Sequence, residues 1–264
     1  MNIMERFSLS GKVALVTGGA GNYGSQITLA LAQAGATVII ASRSLEKNQE
    51  YSDKLCKEGY KVFAECYNQE EETTILEMRD RIKEKFGKVD VLVNNSVFRG
   101  AFTGGFDGDI EGFTRSLKVN GSGFYALTRA IGTLMIPQNA GSIINIGSYM
   151  GDLGPNQTLY EGTNGTMGGW GFPDYFYHKG AMHNLTRFFA AYYGQYNIRC
   201  NCLSLGGLFN NQHPAFVENY SKATYLGRLA NNEDIMGAIV YLASDASLYT
   251  TGTIIPIDGG YSAK

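Results

Sequence analysis

Seven short runs rich in valine and isoleucine recur along the chain, at 12–17, 37–41, 61–66, 89–93, 142–146, 198–203 and 253–257. Between them lie longer segments in which apolar residues return at three- and four-residue intervals, at 25–34, 45–58, 70–86, 113–136, 175–193 and 232–243. The first pattern predicts strands and the second predicts helices with one buried stripe. Near-continuous apolar strands have no wet face, so their alternation with helices predicts a parallel sheet covered on both sides. No linker, repeat or low-complexity block interrupts the alternation. Residues 1–264 therefore read as a single α/β domain, of a size that buries roughly three quarters of its unfolded surface. One stretch breaks the rhythm: 149–174 is rich in glycine, asparagine and threonine and carries Trp170. A loop of that length inside a compact domain is usually functional or disordered.

Composition narrows the partners. A formal charge of -2 gives no electrostatic reason to bind nucleic acid or an anionic membrane. No apolar run approaches the roughly 20 residues needed to span a bilayer. The first ten residues lack the apolar core of a signal peptide. Cys56, Cys66, Cys200 and Cys202 match no zinc module, so no metal is implied and the thiols are expected to stay reduced. Cys200 and Cys202 alternate along a predicted strand and read as one packing face. The expected location is the cytoplasm.

The chemistry gathers at three places. Tyr175 and Lys179 stand four residues apart, on one face of a predicted helix. An ammonium beside a phenol favours the phenolate, which makes the tyrosine a usable proton donor or acceptor. Ser148 follows the fifth strand, and the three groups together suit interconversion of an alcohol and a carbonyl. The first strand runs into Thr17-Gly18-Gly19-Ala20-Gly21-Asn22-Tyr23-Gly24 and then a helix. Glycines there let the backbone approach a pyrophosphate at the positive end of the helix. After the second strand stand Ser42, Arg43 and Ser44, with no carboxylate to repel a 2′-phosphate and an arginine able to bind one.

These features resemble the short-chain dehydrogenase/reductase family, from Leu9 to Tyr261. The resemblance implies a Rossmann fold: a doubly wound, seven-stranded parallel sheet. Residues 9–147 would mainly hold the cofactor, and 148–264 would carry the catalytic pair and the substrate. The family's glycine pattern is met by Thr17, Gly18 and Gly24, with Asn22 in place of the middle glycine. Asn tolerates a left-handed backbone, so Asn22 is expected to preserve the turn. Implied cofactor contacts are Gly18, Asn22, Tyr23, Gly24, Ser42, Arg43, Asn68 (against the adenine), Asn94, Ser96, Gly206 and Leu208, together with Tyr175 and Lys179. Asn95 also matches the family, whereas Val97 and Leu205 replace its usual glycine and proline. The implied cofactor is NADP, with NAD possible. The four catalytic positions are filled by Asn120, Ser148, Tyr175 and Lys179. Asn120 would anchor a water chain, and Lys179 would also hold a ribose hydroxyl.

The interval between Ser148 and Tyr175 is longer than is common in the family, so 149–174 is expected to wall the substrate site. Ser148, Glu161, Trp170, Tyr175, Asn211 and Gln212 are the expected substrate contacts. The amide-rich run after the sixth strand favours a sugar, sugar acid or polyol. These two features resemble the subgroup of flagellin-modification and sugar oxidoreductases. Two other readings stay open: a 3-ketoacyl or aromatic ketone reductase, and a non-catalytic dinucleotide-binding scaffold or sensor. By resemblance, the chain forms a homotetramer or homodimer.

Overall fold

The computed structural model describes residues 2–100, 102, 105–165, 167 and 172–263. Seven strands form one sheet: β1 (Val13–Thr17), β2 (Thr37–Ser42), β3 (Val62–Cys66), β4 (Val91–Asn94), β5 (Gly141–Ser148), β6 (Ile198–Leu205) and β7 (Ile254–Ile257). Their order is β3-β2-β1-β4-β5-β6-β7 and every pair is parallel. Period-two geometry sends Val13 and Leu15 of β1 to one face and Ala14 and Val16 to the other. The helices are α1 (Asn22–Gln33), α2 (Leu45–Lys57), α3 (Glu72–Phe86), α4 (Ile110–Leu117), α5 (Phe124–Met135), α6 (Pro173–Gly194), α7 (Pro214–Ala223) and α8 (Met236–Ala243). Helices α3, α5 and α6 bury Ile75, Met78, Leu127, Ile131, Met182 and Phe189 against one face. The other face receives Ile27 and Leu31 of α1, Leu55 of α2, and Ile239 and Leu242 of α8. This is the doubly wound Rossmann sheet the sequence predicts. Its strand order reverses between β1 and β4, which opens a crevice above their carboxyl ends.

Local signals explain the helix ends. Ser44 caps α2 by accepting the Lys47 amide, with Glu46 in the first turn and Lys54 and Lys57 in the last. Helix α3 stops at Gly87, whose φ of 74° closes the end in the left-handed region.

Three elements differ from the expectation. The helix predicted over 113–136 begins at Ile110 and is split by a π-helical segment, Lys118–Gly123. Gly123 explains part of this, since a Cβ there would lie 2.0 Å from the Gln69 carbonyl oxygen. Of the helix predicted over 232–243, the first turn is a 3₁₀ turn, Asn232–Ile235, capped by Asn231. Helix α7 follows the sixth-strand loop without having been predicted, because its apolar stripe is aromatic and short.

Helix α7 packs on the segment after β5. Tyr149, Leu159, Tyr220, Leu229 and Tyr261 form a third, separate core. Tyr220 stacks on Tyr261 at 5.1 Å and meets Tyr149 edge-on. Asn219 donates to the carbonyls of Leu159 and Glu161. The first part of the long loop, 149–161, is thus bound to α7 as one lobe beside the carboxyl edge of the sheet.

Candidate active site

The turn after β1 closes on itself. Gly18 has φ 64°, and a Cβ on Gly24 would stand 2.0 Å from the Gly18 carbonyl oxygen. Gly21 precedes α1 and supplies no side-chain cap, so the first N–H groups of that helix are left for an anion. Asn22 is the first residue of α1 and does not adopt the left-handed backbone expected of it. Gly18 alone takes the positive φ in this turn, so the replaced glycine imposes no strain. Tyr23 lies one residue further along, and burial pushes its pKa well above the ordinary phenol range.

The loop after β4 is tied to this turn. Asn95 donates to the Thr17 and Gly18 carbonyls, and the Ser96 amide donates to Thr17 Oγ1. Asn94 points into the sheet instead, donating to Thr128 Oγ1 at 3.0 Å and Asn145 Oδ1 at 2.8 Å. At the end of β2, the Ser42 hydroxyl donates to Asn48 Oδ1 at 3.0 Å. Arg43 is exposed, and its guanidinium lies 5.1 Å from the centre of the Phe98 ring. Arg115 approaches the same ring at 5.6 Å while pairing with Glu70. Asn68 accepts the Glu70 amide through Oδ1.

The catalytic groups meet above β5. Ser148 is the last residue of that strand rather than a residue beyond it, and it is buried. Lys179 is buried on α6, and its Nζ donates to the Ile146 carbonyl at 2.6 Å and lies 5.6 Å from the Tyr175 ring centre. Tyr175 is half-buried. Burial raises its pKa, but the Lys179 and Arg99 cations and hydrogen bonds from Arg99 and Ser148 outweigh it, so the phenol falls below its usual value. Asn120 sits in the π segment, where it accepts the Phe98 amide at 2.8 Å and donates to the Phe98 carbonyl at 2.9 Å. It thereby fixes the loop that carries Arg99.

Three residues of this site carry no sequence motif. Arg99 donates from Nη2 to the Tyr175 hydroxyl at 3.2 Å, with its guanidinium 4.7 Å from the ring centre. Asp174 accepts from Ser116 Oγ at 2.5 Å, and Ser116 accepts from Asn120, so a buried chain joins the residue before Tyr175 to the π segment. His178 packs edge-on against Tyr175 at 5.0 Å. Burial, then the Lys179 and Arg99 charges, drive its pKa down to about 3, so it is neutral at physiological pH. Only Arg99's position in the loop after the paired asparagines hinted at the site. Asp174 and His178 are visible only because α6 begins at Pro173 and turns them inward.

The substrate side is looser. Gly207 donates its amide to the Tyr220 hydroxyl at 2.6 Å, and Leu208 bridges to Ala230. A Cβ on Gly206 would lie 2.8 Å from Asp258 Cα. Gln212 spends its amide within its own loop, on the Leu208 carbonyl and the Asn210 amide. Asn211 is exposed with φ 55°, and Glu161 is exposed on the lobe. Trp170 lies outside the described residues.

The uncapped start of α1, the side-chain-free approach at Gly18 and Gly24, and the buried Lys179 ammonium together fit a dinucleotide lying across the crevice. A parallel doubly wound sheet with serine, tyrosine and lysine above its carboxyl edge defines an oxidoreductase that works with such a cofactor. The family model described as enoyl-(acyl carrier protein) reductase, adh_short_C2, matches residues 19–262. Sorbose reductase SOU1 of Candida albicans is 30% identical over 99% of this chain and 90% of its own. The 3-oxoacyl-[acyl-carrier-protein] reductase FabG of Thermotoga maritima is 32% identical over 96% of this chain and 98% of its own. Among solved structures, a gluconate 5-dehydrogenase from Burkholderia cenocepacia, in complex with NADP and tartrate, superposes with a TM-score of 0.89. It is 26% identical, and the match covers 100% of both chains. This chain belongs to the short-chain dehydrogenase/reductase family, and it is a nicotinamide-dinucleotide oxidoreductase acting on CH–OH groups. Among the described residues no helix is long and apolar enough to cross a membrane, and no cluster of residues could hold a metal.

Proposed function

We propose that this enzyme uses NADP(H) to interconvert a secondary alcohol and a ketone on a sugar, sugar acid or polyol. The observation that carries the reading is the phenol of Tyr175, held between two cations and beside Ser148 at the carboxyl edge of β5. When bound, the nicotinamide supplies hydride in reduction and accepts it in oxidation. Ser148 donates a hydrogen bond to the substrate oxygen as charge develops there. Tyr175 gives that oxygen its proton in reduction and takes one in oxidation. Lys179 holds the phenol acidic, and its remaining N–H donors serve a ribose hydroxyl. Asn120 acts through the backbone of Phe98, and His178, being neutral, adds no competing charge. Residues 9–147 mainly hold the cofactor, and 148–264 carry acid–base chemistry and substrate.

Arg43 supports NADP(H): its exposed guanidinium stands at a strand end whose own residues carry no carboxylate, and it can take a phosphate. Gly18, Asn22, Tyr23, Gly24, Ser96, Gly206 and Leu208 complete the cofactor contacts, with Asn68 near the adenine. Asn94 contributes by holding β4 against β5. The sugar class draws support from sorbose reductase and from the tartrate-bound gluconate 5-dehydrogenase, and from exposed Asn211 and Glu161 on the rim. Exposed Tyr125, Phe188 and Tyr192 on α5 and α6 support burial of that face in a homodimer or homotetramer. The four free thiols suit the cytoplasm.

Fluorescence titration with NADPH and NADH, on wild type and Arg43→Ala, tests the cofactor assignment. Tight NADPH binding that the substitution weakens is expected. Equal or tighter NADH binding overturns it. Turnover of ketoacyl thioesters in preference to ketoses would move the substrate to the alternative favoured by FabG.

A further inference from the structure

Arg99 is not needed to explain alcohol–ketone interconversion, yet it occupies the space where substrate must lie. The reacting oxygen has to reach both the Tyr175 hydroxyl and Ser148. Arg99 Nη2 is 3.2 Å from that same hydroxyl. Its guanidinium carbon lies over the phenol ring, 4.7 Å from the ring centre. One N–H group is engaged with Tyr175, and among the described residues no carboxylate pairs with the others. The loop is not free to swing them away: both backbone groups of the preceding residue, Phe98, are held by Asn120.

A planar fork of donors matches the two oxygens of a carboxylate. Lys179, the other cation beside the Tyr175 ring, is buried and already donates to the Ile146 carbonyl. One available guanidinium suits a monoanion better than a phosphate dianion. A neutral substrate pressed into the same place would strip water from the guanidinium and leave it unpaired, which disfavours that substrate.

We propose that Arg99 anchors a carboxylate of the substrate close to the reacting carbon, so that the enzyme acts on hydroxy acids and keto acids of the sugar series. The assignment rests on the reading of Tyr175 and Ser148 as the reacting end of the site. It makes Arg99 the residue that separates sugar acids from neutral ketoses and polyols.

The test is equilibrium binding to the enzyme loaded with oxidised NADP, where a ketone ligand cannot react. Three probes of equal chain length are titrated by calorimetry: a six-carbon keto acid, the neutral ketohexose, and a ketohexose phosphate. A charge-assisted pair predicts that wild type binds the acid about 30-fold more tightly than the neutral sugar. Arg99→Gln should bring that ratio close to one, and Arg99→Lys should keep part of it. A wild-type ratio near one, no binding of the acid, or a ratio that Arg99→Gln does not change overturns the proposal. Tighter binding of the phosphate than of the acid overturns the carboxylate assignment. The functional reading fails separately: it is lost if Tyr175→Phe retains full turnover with NADPH, whatever the binding ratio.

Discussion

The floor of the cleft and its rim are built in opposite ways. On the floor, Ser148 ends a fully paired strand, Lys179 is locked to a backbone carbonyl, and Asn120 grips two backbone groups of the facing loop. On the rim, Arg99, Glu161 and Asn211 stand exposed on loops, and Gln212 is held only by its own segment. Catalysis needs reacting atoms placed to within a fraction of an ångström, which regular elements supply. Recognition of one substrate among many sits on connecting loops, which can change without disturbing the sheet. Substitutions on the floor should therefore cost rate, and substitutions on the rim should redistribute preference.

The sharpest break is Tyr175→Phe. Removing the hydroxyl should lower kcat about a thousandfold, the usual scale of a lost proton donor. The dissociation constant for NADPH should stay within a few-fold, because the ring keeps its contacts. Stopped-flow turnover and cofactor titration on the same sample measure both. A loss in affinity as large as the loss in kcat would make Tyr175 a packing residue.

Next comes Gly24→Ala. Its methyl group would fall 2.0 Å from the Gly18 carbonyl oxygen, so the turn must open. Overpacking of this kind costs about 1–3 kcal/mol, felt here mostly as a roughly tenfold to hundredfold loss of cofactor affinity. Gly21→Ala is the control: its nearest neighbour would be at 3.2 Å. It should cost far less, and equal losses would remove close backbone approach from the account of this turn.

These two positions also show what could be read from the chain alone. The glycine turn, the end of β2 and the Tyr175–Lys179 spacing are local signals, and so is the alternation that yields seven parallel strands. What stayed hidden depends on distant packing. The π segment at Lys118–Gly123 packs Gly123 against the Gln69 backbone, some fifty positions earlier, and no propensity records that contact. Arg99 meets Tyr175 only because Asn120 clamps its loop. Asn22 is expected in a left-handed turn, but with Gly18 already taking the positive φ the helix simply starts at Asn22, three residues before the predicted position 25.

The lobe offers a milder test. Tyr220→Phe leaves the aromatic stack in place but removes the acceptor of the Gly207 amide. An amide left without its partner should cost about 1–2 kcal/mol of stability. Hydrogen exchange should report the loss around α7 and Gly207, with the β1–β4–β5 core unchanged. If the core loosened equally, the lobe and sheet would be one cooperative unit.

The smallest effect separates floor from rim within a single ionisation. Reduction needs the protonated phenol, so its rate should fall as pH rises through the Tyr175 pKa, and oxidation should rise over the same range. Because that pKa lies below the usual phenol value, both limbs appear earlier in pH than an isolated tyrosine would allow. Removing a cation lets the pKa climb and moves both limbs to higher pH. Lys179 is the largest single favourable cause, and Arg99 follows with both its charge and its hydrogen bond. Lys179→Met and Arg99→Gln should therefore each displace the limbs to higher pH, measured as kcat against pH at saturating cofactor. The displacement from Arg99→Gln should be the same with neutral and acidic substrates, since it acts through the phenol, while KM should rise for the acid and stay level or fall for the neutral sugar. A KM change of the same sign and size for both substrates would place Arg99 on the floor with Lys179, tuning the acid, rather than on the rim where it chooses the substrate.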